Sequence, residues 1–176
     1  MSTRQENFPV YDVVVCGGGF AGLGTAFELS NKGMKVIVIE PMPSVGGEIT
    51  RAFNLDLADN GSDLTNVLGK MLNKAGGKRG NRIDAVISEL CLLKMAEKRI
   101  DILHYCYPVG LLKSGNSYCG VILAGKSGQF SIQSKAVVDA TNNYLVSSYS
   151  GAETPEIIDV SRYFSFYMNG VQNING

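Results

Sequence analysis

The sequence predicts an α/β domain in which helices cover a parallel sheet. A short apolar run, DVVVC at 12–16, leads into a glycine-rich turn and a helical pattern. A second run, MKVIVIE at 34–40, follows closely enough to complete a strand–helix–strand unit of about thirty residues, whose crossover should be right-handed. A third strand-like run, AVVDA at 136–140, occurs much later. Continuous apolar runs are typical of parallel strands buried on both faces.

Composition limits the classes of protein to which the chain can belong. Its 176 residues suit one ordinary domain, and 45% of them are hydrophobic, enough for a core. No stretch approaches the roughly 18 apolar residues of a membrane span. The 16 basic and 16 acidic residues cancel, which argues against nucleic acid or an anionic membrane as a partner. The N-terminus MSTRQENFPV has no apolar segment of a secretory signal, so a cytoplasmic location is predicted.

The cysteines do not indicate a metal site. Cys16, Cys91, Cys106 and Cys119 form no CxxC pair and have no flanking histidines, which argues against zinc. We therefore expect reduced thiols, packed mainly in the core, and no metal.

The first helix follows the glycines. Leu23, Ala26, Phe27 and Ser30 recur at helical spacing, and NKG at 31–33 ends the helix with a glycine. The next residues, 41–61, contain two prolines and three glycines and are predicted to form an irregular loop.

Two further helices are predicted in the second quarter of the chain. Ser62 can cap a helix that runs to Gly76–Gly77. Its apolar face comprises Leu64, Val67, Leu68, Met71 and Leu72. The basic connector GGKRGNR does not match a GxxxxGK[ST] phosphate loop and is predicted to be a solvated turn. A helix over 83–98 follows, with an apolar face formed by Ile83, Val86, Ile87, Leu90 and Leu93.

Beyond residue 100 the pattern changes to strands. The loop and the two helices before it make residues 41–100 a predicted loop and helical insertion. After it, a strand leads into a predicted antiparallel β-meander over 107–134, with turns at SGNS and GKSGQ. AVVDA is the return strand. The cofactor domain is predicted to span 1–150, and 151–176 to begin an incomplete substrate or interface segment.

The glycine-rich turn has the spacing of a dinucleotide cradle. Gly17, Gly19 and Gly22 satisfy GxGxxG, and Ala26 extends the pattern. Gly17 permits a tight turn, Gly19 lets a pyrophosphate approach the backbone, and Gly22 lets the helix pack close to the sheet. The helix N-terminus offers unpaired N–H groups and the positive end of its dipole to phosphates.

An acid stands where a ribose-binding carboxylate belongs. Glu40 ends the second strand, eighteen residues after Gly22, where it can accept bonds from both hydroxyls of an adenosine ribose. A 2′-phosphate would be repelled there, which disfavours NADP. These residues leave both FAD and NAD open.

The sequence after Glu40 resembles that of a known family. EPMPSVGGEIT resembles the flavoprotein continuation in which a Gly-Gly pair follows the ribose-binding acid, and VVDATNN resembles the return strand VVDATG. The whole chain resembles the N-terminal portion of FAD-dependent oxidoreductases with the glutathione-reductase-like, Rossmann-like fold. The resemblance implies that FAD is the cofactor and that flavin redox chemistry is the activity.

The resemblance also implies a set of binding residues. The pyrophosphate would lie on the amides around Gly18 to Ala21, Val109 would hold the adenine through its backbone, and the Gly-Gly pair would approach the ribityl or ring end. The implied cofactor-binding residues are Gly17, Gly18, Gly19, Phe20, Ala21, Gly22, Glu40, Pro41, Gly46, Gly47, Val109, Ala140 and Thr141. No catalytic residue is implied, and the substrate and electron acceptor are not indicated.

Two further residues, Asn142 and Arg51, lie close to this set in the sequence. Asn142 stands where the family usually has a glycine, and we expect it to tolerate a left-handed turn while adding bulk beside the phosphates. Arg51 is expected to be a surface residue, with contact to the flavin or a substrate carboxylate as the alternative.

The chain is expected to need completion by a second chain or a further C-terminal portion. A noncatalytic dinucleotide-binding subunit and an NAD-binding domain are the alternative functions.

Overall fold

The computed structural model describes residues 8–57 and 61–153. The strands are β1 (Tyr11–Cys16), β2 (Val36–Glu40), β3 (Lys78–Arg79), β4 (Arg82–Ile83), β5 (Ile100–His104), β6 (Tyr107–Ser114), β7 (Ser117–Gly125) and β8 (Gly128–Asp139). The helices are α1 (Phe20–Asn31), α2 (Gly47–Thr50), α3 (Asp63–Ala75), α4 (Ala85–Ala96) and α5 (Leu145–Ser150).

The predicted α/β fold is confirmed. Six strands form one mixed sheet in the order β5-β2-β1-β8-β7-β6. The strands β5, β2, β1 and the end of β8 are parallel, and β8, β7 and β6 are antiparallel. None of the helices in the described ranges is long and apolar enough to cross a membrane.

Alternate residues of the central strands enter two separate cores. Val13 and Val15 of β1 pack with the helices in a cluster that includes Leu23, Leu68 and Leu92. Val14 and Cys16 point the other way, into a cluster with side chains of the meander, among them Val121, Leu123 and Ile132. Because both faces are covered, β1 and β2 need apolar residues at nearly every position, as their sequences have.

The meander and the return strand are one continuous element. The sequence separated a meander over 107–134 from the return strand, but β8 is a single strand of 12 residues. Its first half pairs with β7, and its second half, from Ser134, pairs with β1. The three antiparallel strands are therefore confirmed, and β8 passes from the meander into the return strand at 134 without a break.

The helical insertion differs from the prediction in its details. Ser62 caps α3 as expected, accepting a hydrogen bond from the Thr65 amide at 3.3 Å. The basic connector is a two-stranded hairpin rather than a plain turn, because β3 and β4 pair within it. Helix α4 consequently begins at Ala85, where the Asp84 carboxylate accepts the Ile87 amide. A short helix, α2, lies in the predicted loop over 41–61.

The predicted apolar face over 83–98 is correct at Ile83, which is buried, and at Ile87, which packs against the core, but it is wrong at Val86, Leu90 and Leu93. Val86 and Leu90 are 67% and 61% exposed, whereas the buried residues are Ser88, Cys91, Leu92 and Ala96. This helix is apolar on most sides, so periodicity could not choose a face. The small residues at 88 and 96 allow the closer approach to the core.

Helix α1 packs directly on the end of β1 because Gly22 has no side chain. A β-carbon on Gly22 would overlap the carbonyl oxygen of Gly17 and come within 3.3 Å of the Ala140 side chain. The same carbon on Gly24, also in α1, would have as its nearest neighbour the Leu64 side chain at 3.7 Å, an ordinary contact.

These two glycines give a matched pair of variants. We expect Gly22→Ala to lower the free energy of unfolding by about 2 kcal/mol or more, because the helix must move off the backbone. Gly24→Ala should instead raise it by about 0.5–1 kcal/mol through helix propensity. Urea unfolding followed by circular dichroism measures both. Equal effects of the two substitutions would contradict the close-approach explanation.

Candidate functional site

A cleft of about 480 Å³ opens where β1, β2 and β8 end. Its lining combines glycines, two carboxylates and one guanidinium. The lining residues are Gly17, Gly18, Gly19, Glu40, Pro41, Gly47, Glu48, Arg51, Ala52, Ala140, Thr141 and Asn142. Ligands of open α/β sheets bind at this carboxyl edge of the strands.

The glycine turn brings backbone groups from three segments together. The Gly17 amide donates to Ile39 in β2 at 2.8 Å, and Gly17 has a φ of 115°, which disfavours any side chain. A β-carbon at this position would also overlap the carbonyl oxygen of Ala140. Gly19 precedes α1 in an extended conformation and provides no side-chain cap. The first N–H groups of α1 therefore receive no cap from the residue that precedes the helix, and their acceptors must come from elsewhere.

Glu40 is a buried carboxylate held by several donors. It is 3% exposed, its Oε2 accepts the Gly18 amide at 2.8 Å, and its Oε1 accepts the Met42 amide at 2.9 Å. The guanidinium of Arg51 lies 3.6 Å from Oε1. These partners offset the cost of burying a charge, and each oxygen still has lone-pair capacity for another donor.

Arg51 is exposed at the surface, as expected, and it also lines the cleft. Its Nη1 donates to the carbonyl and the hydroxyl of Ser44, at 2.5 and 3.1 Å. A β-carbon on Gly47 would overlap the guanidinium, so the second glycine of the Gly-Gly pair makes room for Arg51.

The first glycine of that pair fixes the loop against the cradle. The Gly46 amide donates to the Gly18 carbonyl at 2.8 Å, and Gly46 has a left-handed φ of 61°. The Gly-Gly loop is therefore held against the glycine turn by a backbone hydrogen bond.

Asp139 organises the turn after the return strand. Its Oδ1 accepts the amide and the hydroxyl of Thr141, and its Oδ2 accepts the Ser147 amide at 2.7 Å. Burial raises the pKa of Asp139, but the hydrogen bonds from Thr141 and Ser147 outweigh it, and the net pKa is lowered. Across the strand pair, burial and the charge of Asp139 raise the pKa of the Cys16 thiol to about 12.

The left-handed residue of this turn is not the one the sequence suggested. Among the described non-glycine residues, φ is positive at Phe53, Lys98, Tyr105 and Tyr144. Asn142 is absent from that set, so it needs no glycine-like conformation. Tyr144 takes it instead, with φ 53°, directly before α5. Asn142 does line the cleft, as expected.

The structure gathers most of the predicted binding residues but not all. The residues of the set that line the cleft are Gly17, Gly18, Gly19, Glu40, Pro41, Gly47, Ala140 and Thr141. Gly22 is buried within α1, and Gly46 lies behind the cleft wall as the first glycine of its loop.

The remaining predicted residues lie outside this lining. Phe20 and Ala21 line a neighbouring groove of about 720 Å³ between α1, α3 and the end of α4. The glycine turn at 17–19 and the buried Glu40 line the smaller cleft and not the larger groove. We therefore place the candidate site in the smaller cleft. Val109 lies on β6, where the register shifts between Pro108 and Gly110, and is 38% exposed.

Glu48 is a residue of the cleft that the sequence did not indicate. Both of its carboxylate oxygens accept the Phe20 amide, at 3.1 and 3.2 Å, at the N-terminus of α1. Its place directly after the Gly-Gly pair was the available signal, but a single acid in a loop has no recognisable pattern.

The fold and the cleft together define a dinucleotide-binding domain. A model of the FAD dependent oxidoreductase family matches residues 12–156, and the chain belongs to this family. The family confirms FAD as the predicted cofactor and flavin-dependent oxidoreductase as the predicted class, and it argues against the NAD-binding alternative.

Individual proteins resemble the chain over part of their length. Digeranylgeranylglycerophospholipid reductase 1 of Methanococcoides burtonii is 26% identical over 82% of this chain and 41% of its own. In another relative, the NADH:fumarate oxidoreductase of Klebsiella pneumoniae, the match covers 24% of this chain and 4% of that protein. The chain therefore spans less than half of these curated relatives.

Solved structures show the same fold. OxyS anhydrotetracycline hydroxylase from Streptomyces rimosus superimposes with a TM-score of 0.65 and 19% identity, over 84% of this chain and 35% of that one. THI4 of Thermovibrio ammonificans gives 0.60 and 22%, over 82% and 64%.

The contacts of Asp139 predict an acid-dependent stability. Asp139→Asn should cost about 1–3 kcal/mol of unfolding free energy near neutral pH, because an amide cannot accept all three bonds. The lowered folded-state pKa means that the contribution is present above the unfolded-state pKa and disappears as pH falls through the folded-state value. The wild type should therefore lose its advantage in acid.

Urea unfolding at a series of pH values measures this difference. Asp56→Asn is the control, because its side chain is 67% exposed and should change stability by less than about 0.5 kcal/mol. A difference between wild type and Asp139→Asn that stays constant into strong acid would refute the assignment.

Proposed function

We propose that this chain is the FAD-binding portion of a flavin-dependent oxidoreductase. The proposal names the cofactor and the class of reaction, and it assigns no substrate. The observation that carries the proposal is the buried carboxylate of Glu40 beside the glycine turn, within a family match over 12–156. Bound FAD supplies the redox chemistry, and the protein supplies binding and orientation.

Each part of the cleft has a role in this proposal. Glu40 accepts hydrogen bonds from the hydroxyls of the adenosine ribose. The amides around Gly18 to Ala21 donate hydrogen bonds to the pyrophosphate. Ala140 and Thr141 flank the phosphates, and Pro41 lies next to Glu40 on the same wall. The Gly46–Gly47 loop directs the ribityl or ring end. The hydrogen bond from Gly46 to Gly18 supports this arrangement because it ties the loop to the turn.

Val109 keeps its proposed role with the adenine. It is the additional residue where the β6–β7 register shifts between Pro108 and Gly110. A bulge leaves the backbone of its extra residue out of the ladder and available to another partner. This supports adenine recognition through the backbone rather than through the valine side chain.

We further propose that residues 1–150 form the cofactor domain and that 151–176 begin a segment for the substrate or an interface. Residues 154–176 lie outside the described part of the chain. The chain matches 41% of the length of the Methanococcoides burtonii reductase and 35% of OxyS. This partial coverage supports completion of the site by a further domain or a second chain.

A cytoplasmic location completes the proposal. It is supported by the four cysteines, which form no disulfide in the described structure and of which Cys16, Cys91 and Cys106 are buried. Reduced thiols are typical of proteins in a reducing compartment.

The cofactor can be identified directly. We expect nucleotide extracted from the gently purified protein, or retained after reconstitution, to be FAD, seen as a flavin absorbance spectrum and by chromatography. Saturable NAD binding without flavin binding would contradict the proposal. The noncatalytic alternative predicts bound FAD that supports no turnover of a substrate.

Replacing Glu40 tests the ribose assignment. Glu40→Gln removes the charge that strengthens its hydrogen bonds, and FAD affinity should fall about tenfold or more. Because the side chain also holds the Gly18 and Met42 amides, stability should fall by about 1–3 kcal/mol as well.

FAD titration at a temperature where both proteins are folded separates the two effects. Glu97→Gln is the control, since the Glu97 side chain is half exposed and pairs with Lys94 far along the sequence from the cleft residues. An unchanged FAD dissociation constant in Glu40→Gln would rule out the ribose contact.

A further inference from the structure

A carboxylate of the protein occupies the place predicted for the pyrophosphate. Both oxygens of Glu48 lie within 3.2 Å of the Phe20 amide nitrogen, the first N–H of α1. A β-carbon on Gly19 would lie 2.7 Å from Oε1 of Glu48. The space that the second glycine of GxGxxG leaves open for a ligand is thus filled by Glu48.

Glu48 acts here as a helix cap supplied from another element. Gly19 has no side chain with which to cap α1, and a negative group near the N-terminus interacts favourably with the helix dipole. Glu48 follows Gly47 in α2, a helix of four residues, and is itself exposed. The contact is therefore local and can be released without unpacking the core.

Glu48 and a phosphate cannot both use the Phe20 amide. The two groups carry charge of the same sign and seek the same donor, so their close approach is unfavourable. Among the described residues that line the cleft, Arg51 is the one cation, set against Glu40 and Glu48. Its guanidinium bonds to Ser44 and pairs with Glu40, and no ion pair between described residues joins it to Glu48.

We infer that Glu48 sets the cofactor affinity of this chain by competing with the pyrophosphate for the N-terminus of α1. The inference rests on the proposed FAD site. Glu48 caps α1 in this structure and must move aside for a phosphate to use the same amide. Binding then includes the loss of one capping contact and the approach of two like charges.

Glu48→Gln tests the competition because it keeps the shape of the side chain and removes its charge. FAD titration of the full chain by flavin fluorescence should give a dissociation constant on the order of tenfold lower than that of the wild type. The gain should shrink at high salt, which screens exposed charges. Glu28→Gln, which removes an exposed acid further along α1, should leave FAD affinity unchanged.

A second measurement needs no cofactor. In Glu48→Ala the Phe20 amide loses its acceptor, and we expect its hydrogen exchange, followed by NMR, to be faster than in the wild type. Unchanged exchange would show that Glu48 does not cap α1 and would overturn the inference.

The outcomes separate this inference from the proposed function. Equal or weaker FAD binding by Glu48→Gln, while the wild type binds FAD, overturns the competition and leaves the FAD site intact. Failure of both the wild type and Glu48→Gln to bind FAD overturns the FAD site and the competition together. Tighter binding by Glu48→Gln alone, with the Glu28→Gln control unchanged, supports both.

Discussion

The close approach of α1 to the end of β1 is the constraint on which the cleft depends. Gly17 and Gly22 are in contact through backbone atoms, and Gly17 also lies against the carbonyl of Ala140. The end of β1, the first turn of α1 and the distant segment at Ala140 therefore meet through backbone atoms. This contact aims the first N–H groups of α1 at the carboxyl edge of the sheet, and the remaining walls of the cleft are arranged around that position.

Two carboxylates in the same cleft differ because their surroundings differ. Glu40 is buried and bonded to two amides beside a guanidinium, so its position is fixed by several contacts at once. Glu48 is exposed, lies on the four-residue helix α2, and accepts a hydrogen bond from a single amide, that of Phe20. The first is part of the framework, whereas the second is held loosely enough to be replaced by another anion. Charge alone would not have distinguished them.

The sequence predicted those features that depend on spacing along one segment. The glycine turn, the acid at the end of β2 and the cap at Ser62 each follow from local backbone requirements. Features that depend on contacts across the fold were missed. The face of α4 is chosen by packing among apolar residues, the left-handed residue is Tyr144 because Asp139 fixes the preceding turn, and Glu48 matters only through its contact with Phe20.

The continuity of β8 has a consequence for the order of folding. Val13 pairs with Ala136, near the far end of a strand that begins in the meander. Until that strand has been synthesised and docked, β1 is an edge strand with an open row of backbone groups, and the turn at Ala140 cannot form. Contacts so distant in sequence close slowly. The wall of the glycine cradle at Ala140 therefore cannot form before the last strand of the sheet has docked, although the glycines are encoded near the start of the chain.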